Sequence, residues 1–363
     1  MSERMPCHPL VIIGAGPAGM SAALWAKRLG VTPVVFERHD VSGGQLATIE
    51  QPIDDYLGLF ADDGRALQRR FVEHLERSGI AVRTNVSIER IERPAHAVRG
   101  HVPTHKTETA EGAETAQDCW RLHGAYTGDQ TRRPGPNDAT VYRARAVIVA
   151  TGVRPRRLGI PGEALIADTA FASTSRGPER FRGRHVAIVG GGDRAVEGAL
   201  NIAPHAAQVW LLVRSSALRA RKALRERLND YPNVTMLRET TLERIDRARI
   251  DRKRINPGRT GTADGRFVLT LGRRKADSPH LPTAPNPLIV DDVLLRIGME
   301  PALPDMEPPI EQTAEGLWIA GDAALPPSER SIAAAVGCGM RAAKRAVLWL
   351  EEQDKIGSLM KEH

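Results

Sequence analysis

The stretch PLVIIGAGPAG at residues 9–19 limits the possible folds of this chain more than any other feature. It is a continuous apolar run that ends in glycine, as a buried parallel strand does. MSAALWAKRLG then has the composition and spacing of an amphipathic helix that stops at Gly30, and TPVVFER predicts a second strand that ends at Glu37. A strand, a glycine turn, a helix, a strand and an acid within about 30 residues form the dinucleotide-binding βαβ unit.

The glycines of GAGPAG are each expected to have a separate task. Gly14 lets the chain turn tightly off the strand, and Gly16 lets a pyrophosphate approach the backbone at the positive N-terminus of the helix. Gly19 lets that helix pack closely on the strand. Glu37 is placed to accept hydrogen bonds from the hydroxyls of an adenosine ribose. The alternative is a purely structural glycine-rich turn.

The same pattern occurs a second time, in HVAIVG, GGGDRA, VEGALNIAPHA and QVWLLVR. Gly190, Gly192 and Ala195 take the three small-residue positions. The acid expected after the second strand is absent, and Arg214 and Arg219 stand there instead. Guanidinium groups bind a 2′-phosphate, which a carboxylate would repel, so the second site is predicted to prefer NADP over NAD. Plain surface charge is the alternative for both arginines.

Further segments predict elements around these two units. YRARAVIVATG predicts a strand that ends at residues 150–152, and EGLWIAGDAA predicts one that ends at Gly321 and Asp322. Asp322 can hydrogen-bond a ribitol hydroxyl, and RSIAAAVGCGMRAAKRAVLWLEEQ predicts a long helix whose N-terminal dipole can face a flavin. Residues 94–139 and 255–288 are expected to be excursions with mobile loops around the strands CWRLHGAYT and RFVLTLG.

Composition excludes several classes of protein. At 363 residues the chain is long enough for about two domains, and its longest apolar runs are too short to span a bilayer. An aromatic content of 4% argues against a stacking surface for single-stranded nucleic acid. The eleven histidines are dispersed, and none pairs with a cysteine at ligand spacing, so no metal site is expected. No export signal is recognised at MSERMPCHPLVIIG.

The three cysteines are Cys7, Cys119 and Cys338. They share no CxxC spacing and suggest no disulfide framework, which is typical of a reducing cytoplasm. We therefore expect a cytoplasmic protein.

The net charge of +7 is unevenly distributed. Residues 214–254 contain 13 Lys or Arg and 6 Asp or Glu, a surplus of 13 − 6 = 7. A solvated helix face with a basic hairpin explains this most simply. Two more specific alternatives for this basic surplus are a pocket for an extra phosphate and a surface for an acidic partner. Nucleic acid is not expected, since no recognised binding motif accompanies the charge.

Taken in order, the motifs resemble the low-molecular-weight thioredoxin reductase family of flavoproteins over nearly the whole chain. The resemblance rests on GAGPAG, Glu37, GGQL (43–46), ATG (150–152), LGIPGE (158–163), GGGDRA, Val213 with Arg214 and Arg219, IGMEP (297–301) and Gly321-Asp322. It implies an α/β fold with two Rossmann-like, three-layer ββα dinucleotide-binding domains. An FAD domain of residues 1–153 and 299–363 would hold an inserted NAD(P)H domain of residues 154–298. The family is typically dimeric, so a homodimer is expected.

The resemblance also assigns site residues. Gly43, Gly44, Gln45 and Thr48 fall where the family lines the isoalloxazine ring, and residues 330–332 fall near the flavin O2 edge. The expected FAD contacts are Gly14, Gly16, Pro17, Ala18, Gly19, Glu37, Arg38, Gly43, Gly44, Gln45, Leu46, Thr48, Ala150, Thr151, Gly152, Gly321, Asp322, Arg330, Ser331 and Ile332. The expected NAD(P)H contacts are Gly190, Gly191, Gly192, Asp193, Arg194, Ala195, Arg214 and Arg219.

The chain departs from the family at three places. The family's Arg-Gln before its last helix is Arg330-Ser331 here, and its His-Arg-Arg is Val213-Arg214-Ser215. Its redox cysteine pair would fall at about Ser173 and Arg176, neither of which can form a disulfide.

We therefore expect no thiol relay and no catalytic side chain, with the flavin as the only redox centre. A branch of the superfamily, the thioredoxin-reductase-like ferredoxin/flavodoxin–NADP reductases, also lacks the cysteines and passes electrons to small acidic proteins. The expected function is transfer of electrons from NADPH, with NADH as a possible donor, through FAD to such a protein, or the reverse. A pI near 9.6 would steer an acidic partner.

Two alternatives stay open. One is reduction of a small-molecule acceptor such as a quinone, a disulfide or oxygen. The other is a non-catalytic, nucleotide-holding redox sensor. The tail from Leu348 to His363 is either a lid over the flavin or a frayed terminus.

Overall fold

The computed structural model describes residues 6–94, 119–128, 140–248, 266–273, 285–307 and 313–359. Its helices are α1 (Pro17–Arg28), α2 (Gly64–Arg77), α3 (Asp193–Ile202), α4 (Lys222–Arg227) and α5 (Ile332–Leu359). Its strands are β1 (Cys7–Ile13), β2 (Val34–Phe36), β3 (Val82–Arg83), β4 (Val86–Glu92), β5 (Trp120–Tyr126), β6 (Thr140–Val149), β7 (Val153–Pro155), β8 (His185–Val189), β9 (Gln208–Val213), β10 (Val234–Arg238), β11 (Thr240–Arg247), β12 (Phe267–Arg273), β13 (Leu288–Val290), β14 (Asp292–Leu295), β15 (Met299–Pro301), β16 (Asp305–Glu307), β17 (Thr313–Ala314) and β18 (Leu317–Ile319).

The chain divides into two compact units, each with its own core. Unit 1 consists of Met1–Arg154 and Pro301–His363, and unit 2 of Pro155–Glu300. Both are α/β, as the two repeated βαβ patterns predict. The first segment of unit 1 was predicted to end at residue 153 and ends at residue 154. Its second segment was predicted to start at residue 299 and starts at residue 301.

A nine-stranded sheet is the frame of unit 1, and most of its strands follow the order β16-β4-β5-β6-β1-β2-β3, while β18 also pairs with β6. Strand β1 is parallel to β2 and β6, and Ile13 pairs with both Phe36 and Val149. Val149 in turn pairs with Ile319 of β18. Four parallel strands therefore end at one edge, so the segments that follow them are brought together there.

Helices α1 and α5 cover one face of the sheet of unit 1. The apolar side chains of β1, Leu10 and Ile12, lie in one core with the small residues of both helices. A Cβ at Gly339 of α5 would lie 2.0 Å from the carbonyl oxygen of Ala18 in α1. Glycine is therefore required there for the two helix backbones to approach each other.

Unit 2 contains a four-stranded parallel sheet of order β10-β9-β8-β14 and a three-stranded antiparallel sheet of order β11-β12-β13. Helix α3 connects β8 to β9, which completes the second βαβ unit. The helix predicted at VEGALNIAPHA is α3, which begins three residues before that segment. It ends at Ile202, because Pro204 cannot continue the helical hydrogen bonding.

The expectation that the cysteines form no disulfide is wrong. Cys7 and Cys119 form one, with their Cα atoms 6.6 Å apart. Cys7 begins β1 and Cys119 directly precedes β5, and these two strands flank β6 in the sheet. Sheet order therefore brings together two cysteines that are 112 residues apart in sequence. The cysteine pattern consequently no longer supports a cytoplasmic location.

The C-terminal tail is an ordered helix where the structure describes it, so it is not a frayed end, and its role as a lid over the flavin stays a prediction. Residues 348–359 continue α5, and Asp354 forms an ion pair with Arg145 at 2.5 Å. Trp349 also packs edge-on against Trp318. The predicted strands CWRLHGAYT and RFVLTLG are confirmed as β5 and β12, whereas the mobile loops predicted beside them lie at 95–118, 129–139, 249–265 and 274–284, outside the described residues. Among the helices that the structure describes, none has both the length and the apolar character of a membrane span.

Candidate functional site

The first glycine turn is built so that two of its glycines have no room for a side chain. Gly14 has φ = +98°, and a Cβ there would lie 2.6 Å from the oxygen of Ala150. A Cβ at Gly19 would lie 1.8 Å from the oxygen of Gly14. These contacts join the end of β1, the start of α1 and the end of β6 without any side chain between them.

Gly16 differs from its two neighbours. It precedes α1 with ordinary extended backbone, and a Cβ there would meet only the Cα of Gly44, at 3.9 Å. A Cβ at Gly44, in turn, would lie 3.2 Å from the Cα of Gly16. The two glycines thus form a shallow backbone cradle at the N-terminus of α1. No side chain caps this helix, and Pro17 occupies its first turn, so the N–H groups of Ala18 and Gly19 point toward the cradle.

Glu37 directly follows β2. Two backbone N–H groups hold its carboxylate by hydrogen bonds. Only 5% of the residue is exposed. The N–H of Ala15 donates to Oε2 at 2.8 Å and that of His39 to Oε1 at 3.0 Å. A carboxylate accepts about four hydrogen bonds, so Glu37 is oriented and retains acceptor capacity for ribose hydroxyls. Its neighbour Arg38 is exposed and donates from Nε to Nε2 of His39 at 3.0 Å.

The GGQL segment leads into a 3₁₀ helix, Gly44–Thr48. Gly43 has φ = +131°, its N–H donates to the oxygen of Ala15 at 2.8 Å, and the side chain of Gln68 fills the space of its missing Cβ. Gln68 itself donates to the oxygen of Ser42 at 2.6 Å. No local pattern predicts the role of Gln68, because that role depends on where α2 packs.

A side-chain hydrogen bond joins two site residues that are 277 positions apart. Nε2 of Gln45 donates to Oδ2 of Asp322 at 3.2 Å. The next residue, Leu46, is buried, and Thr48 donates to the oxygen of Gln45 at 2.7 Å. Gly321, which precedes Asp322, lies too close to Ala18 for a side chain. The residues after β18 thus reach the same edge as the first glycine turn.

The buried side chain of Thr151 indicates that this edge binds a polar ligand. Its Oγ1 is buried and has no hydrogen-bond partner among the described residues. Thr151 lies between Ala150, which contacts the glycine turn, and Gly152, which has φ = +67°. A buried hydroxyl without a hydrogen-bond partner is unfavourable unless a polar ligand pairs with it. The edge therefore fits a dinucleotide such as FAD.

The last predicted FAD residues lie at the start of α5. Arg330 donates from Nε to the oxygen of Leu325 at 3.1 Å. Ser331 accepts the N–H of Ala334 at 3.1 Å and so caps the 28-residue helix. Ile332 packs on the apolar cluster around Leu46. The N-terminal dipole of α5 is in this way anchored to the GGQL segment.

The second glycine turn in unit 2 has the same division of tasks. Gly190 has φ = +146°, and a Cβ there would lie 2.3 Å from the oxygen of Arg296. A Cβ at Gly192, the residue before α3, would meet nothing within 4 Å. Gly191 accepts the N–H of Arg219 at 2.8 Å, and Ala195 is fully buried. The backbone before α3 is thus open to a ligand.

Arg221, which no motif predicted as a site residue, lies among the charges around this second turn. Asp193 accepts the backbone N–H of Arg221 at 2.8 Å and pairs with its Nε at 2.8 Å. Arg221 also pairs with Glu197 at 3.1 Å. Arg221 therefore offsets the acid that would repel a phosphate at α3. Its only signal in the sequence was the general surplus of basic residues.

The predicted arginines near this turn are all exposed. Arg214 follows β9 and Arg219 lies five residues later, while Arg194 is in the first turn of α3. None of the three forms an ion pair with another described residue. Their charge is thus available to an anionic ligand.

The segment at the family's cysteine positions is an ordered turn. The Oγ of Ser173 accepts the N–H of Arg176 at 3.1 Å and lies 3.1 Å from the Oγ of Ser175. Thr174 is buried beside Gly198 of α3. No thiol is part of this turn.

The remaining thiols do not replace the missing pair. Cys7 is at the opposite end of β1 from Gly14, and six residue steps at ~3.3 Å separate it from Ile13, roughly 20 Å in total. Cys338 is 9% exposed, belongs to the core between α1 and α5, and is the free cysteine of the chain. The chain thus brings no dithiol pair to the edge that holds the glycine turn.

Comparisons with known proteins agree with this arrangement. The family model described as "Pyridine nucleotide-disulphide oxidoreductase" matches residues 8–342. A thioredoxin reductase from Bacillus subtilis is 27% identical over 356 residues, which covers 97% of each chain. The crystal structure of Lactococcus lactis thioredoxin reductase superposes with a TM-score of 0.65 at 22% identity, over 95% of this chain and 99% of that one. The bacillithiol disulfide reductase from Bacillus cereus has a TM-score of 0.64 at 17% identity, over 94% and 99%.

The matched residues span most of both units. The resemblance read from the motifs is confirmed. The chain belongs to the pyridine nucleotide-disulphide oxidoreductase family and is an FAD- and NAD(P)H-dependent oxidoreductase with the thioredoxin reductase fold.

Proposed function

We propose that this enzyme passes electrons from NADPH through FAD directly to a small acidic electron-transfer protein of the ferredoxin or flavodoxin kind, or in the reverse direction. The observation that carries the proposal is the Ser173–Arg176 turn, which holds no thiol where the family has its redox pair. The proposal includes the homodimer expected above. The cytoplasmic location stays a prediction that the cysteine pattern no longer supports.

In this proposal unit 1 binds FAD. The cradle of Gly16 and Gly44 at the N-terminus of α1 would take the pyrophosphate, and Glu37 the adenosine ribose. The pair of Gln45 and Asp322 and the orphaned hydroxyl of Thr151 would hold the remainder. A bound flavin accepts an electron pair and releases electrons one at a time, so no side chain has to take part in the redox step.

Unit 2 would bind NADPH at its own glycine turn. The open backbone at Gly192 would admit the pyrophosphate. The exposed guanidinium groups of Arg214 and Arg219 would bind the 2′-phosphate, and this supports NADPH over NADH. Arg221 would assist by neutralising Asp193.

The charge of unit 2 supports an acidic protein partner. Helix α4 exposes Lys222, Arg225 and Arg227. Lys222 pairs with Glu226, but Arg225 and Arg227 form no ion pair with another described residue. Unpaired exposed charges of one sign raise the association rate of a partner of opposite sign.

The test is an anaerobic titration of the FAD-loaded protein with NADPH and with NADH, followed by addition of oxidised ferredoxin or flavodoxin. Flavin absorbance should bleach with NADPH at lower concentration than with NADH, and recover when the acceptor is added. The acceptor step should slow as salt rises, because screening weakens the attraction. A flavin that neither nucleotide bleaches contradicts the proposal.

Charge reversal tests the partner surface. The variant Arg225→Glu/Arg227→Glu should lower kcat/KM for the acidic protein by about tenfold, because it reverses two steering charges, and leave flavin reduction by NADPH unchanged. Arg69→Glu/Arg70→Glu, at two exposed arginines of α2 in the other unit, is the control that changes the net charge equally. Equal loss in both variants would show that only net charge matters.

Turnover with a quinone, oxygen or a low-molecular-weight disulfide, and none with ferredoxin or flavodoxin, would instead support a small-molecule acceptor. Absence of turnover with every acceptor would support the redox sensor.

A further inference from the structure

Helix α2 lies against the segment that borders the cradle of unit 1. A Cβ at Gly64, in the first turn of α2, would lie 1.9 Å from the carbonyl oxygen of Leu46, and the N–H of Gly64 donates to the oxygen of Ile49 at 2.9 Å. Leu67 is fully buried in the same apolar cluster as Leu46. The first turns of α2 are therefore fixed to the 3₁₀ helix Gly44–Thr48, and to the residue after it, by backbone and apolar contacts.

Gln68, the next residue of α2, reaches the turn before that 3₁₀ helix. Its Cγ and Nε2 would lie 2.5 Å and 2.7 Å from a Cβ at Gly43, so the side chain occupies the space that glycine leaves. Its Nε2 donates to the carbonyl oxygen of Ser42 at 2.6 Å, and Ser42 is buried. On the other side, the N–H of Gly43 donates to the oxygen of Ala15 in the first glycine turn at 2.8 Å. The turn is thus held between α2 and the first glycine turn, and Gln68 supplies a polar contact from α2.

The contact with Ser42 requires a donor and not only a side chain of the right size. A backbone carbonyl accepts hydrogen bonds and cannot donate them, whereas the amide of glutamine offers both N–H groups and an oxygen. An apolar side chain of similar length would fill the same space and leave the carbonyl oxygen of Ser42 without this partner. A carboxylate would place a second acceptor against that oxygen, which is worse than the loss of a neutral hydrogen bond. Substitution can therefore separate the hydrogen bond of Gln68 from its packing.

The two residues that follow Gly43 both belong to the cofactor site. A Cβ at Gly44 would lie 3.2 Å from the Cα of Gly16, across the cradle. Gln45 donates to Asp322 at 3.2 Å. A change in the peptide group before Gly43 would displace both residues, because a planar peptide transmits its orientation to the chain that follows. The carbonyl that Gln68 holds therefore bears on two separate parts of the site.

We propose that Gln68 is a positioning residue of the cofactor site. Its amide N–H acts through the carbonyl of Ser42 and sets the positions of Gly44 and Gln45, and Gln68 itself does not have to contact FAD. The proposal rests on the FAD site proposed above and does not depend on which acceptor receives the electrons.

Two variants of similar size test the role of the donor. The readouts are the FAD affinity of the refolded apoprotein and the visible absorbance of the flavin at saturating FAD. Gln68→Met keeps the volume and removes the donor, so it should bind FAD roughly three- to tenfold more weakly than wild type. Gln68→Glu keeps the shape and sets an acceptor against Ser42, so at neutral pH it should bind more than about tenfold more weakly. Both should shift the absorbance bands of the flavin, because Gly44 and Gln45 are displaced around it.

The matched control is Arg69→Met, which changes the exposed neighbour of Gln68 on α2 and should match wild type in both readouts. The melting temperature of the apoprotein separates positioning from a general effect on folding. The apoproteins of Gln68→Met and Arg69→Met should melt close to wild type.

Three results would overturn the proposal. One is wild-type FAD affinity and absorbance in both Gln68 variants. Another is wild-type affinity in Gln68→Glu with lowered affinity in Gln68→Met, since neither side chain has the donor at neutral pH. The third is a Gln68→Met apoprotein that melts well below wild type but gives an unchanged flavin spectrum, which would show that Gln68 only supports the fold.

The proposed function fails by different results. Undiminished FAD affinity in Gly16→Ala contradicts the cradle, and a flavin that neither nucleotide bleaches contradicts the electron transfer. Neither result alters the expected order of FAD affinity, which falls from wild type to Gln68→Met to Gln68→Glu and is measured by binding and absorbance alone.

Discussion

At the scale of single residues, the glycines of one motif have different physical requirements. Gly19 is enclosed by backbone, whereas Gly16 borders the open cradle with Gly44. The motif predicts a packing task for Gly19 and a ligand task for Gly16, and the space around each glycine is consistent with that division. The structure separates the glycine that the fold needs from the glycine that a ligand would need.

This difference makes a paired prediction. Gly16→Ala should fold with a Tm near that of wild type, since its Cβ has room, but bind FAD at least about tenfold more weakly, because the methyl group occupies the proposed place of the pyrophosphate. Gly19→Ala should lose stability outright, because its Cβ would overlap the oxygen of Gly14. Circular dichroism melting and a flavin-fluorescence titration of the refolded apoprotein measure the two effects. Tight FAD binding by Gly16→Ala would place the pyrophosphate elsewhere.

Site features that the sequence predicts differ in a physical way from those that it does not predict. Gly14 and Glu37 belong to one local motif of about 30 residues, so their spacing predicts their neighbourhood. The bond between Gln45 and Asp322 joins segments that only the sheet order brings together. The unpaired hydroxyl of Thr151 depends on burial, which no local pattern contains.

At the scale of elements, the contact between α1 and α5 decides how unit 1 closes. Gly339 meets the backbone of Ala18, whereas a Cβ at Gly337, two residues earlier on α5, would meet nothing within 4 Å. The long helix was predictable from its periodicity, but its continuation beyond Gln353 to Leu359 was not. Its last turns are polar, and α5 is fixed by Trp349 and the Asp354–Arg145 pair.

Two alanine substitutions on α5 should therefore act in opposite directions. Gly337→Ala should raise the free energy of unfolding by about 0.5–1 kcal/mol, because alanine favours the helix and adds no clash. Gly339→Ala should lower it by about 1–3 kcal/mol, because its methyl group forces α1 and α5 apart. Urea unfolding followed by circular dichroism gives both values. Similar values for the two variants would mean that the helices do not pack as described.

At the scale of the whole molecule, the disulfide and the glycine turn are at opposite ends of β1. The sequence predicted two dinucleotide-binding folds and no thiol relay. It did not predict the disulfide between Cys7 and Cys119. Cysteine spacing along the chain contains no information about which strands flank β6. The separation of roughly 20 Å along β1 assigns this bond to stability and not to the electron path.

Removing the bond should therefore separate the two properties. Cys119→Ser should lower the free energy of unfolding by about 2–4 kcal/mol, because the unfolded chain is no longer cross-linked. The rate of anaerobic flavin reduction by NADPH should remain that of wild type. Dithiothreitol should reduce the stability of wild type to that of the variant and leave Cys119→Ser unchanged. A slower flavin step in the variant would assign the pair a redox role.

The division of unit 1 between both halves of the chain sets an order of events during synthesis. Strand β18, which pairs with β6, and α5, which packs on α1, both come after residue 300. A ribosome therefore releases all of unit 2 before it supplies the parts that complete the first Rossmann layer. Unit 2 can therefore fold while unit 1 is still incomplete. Unit 1 can enclose its cofactor only when translation is nearly finished.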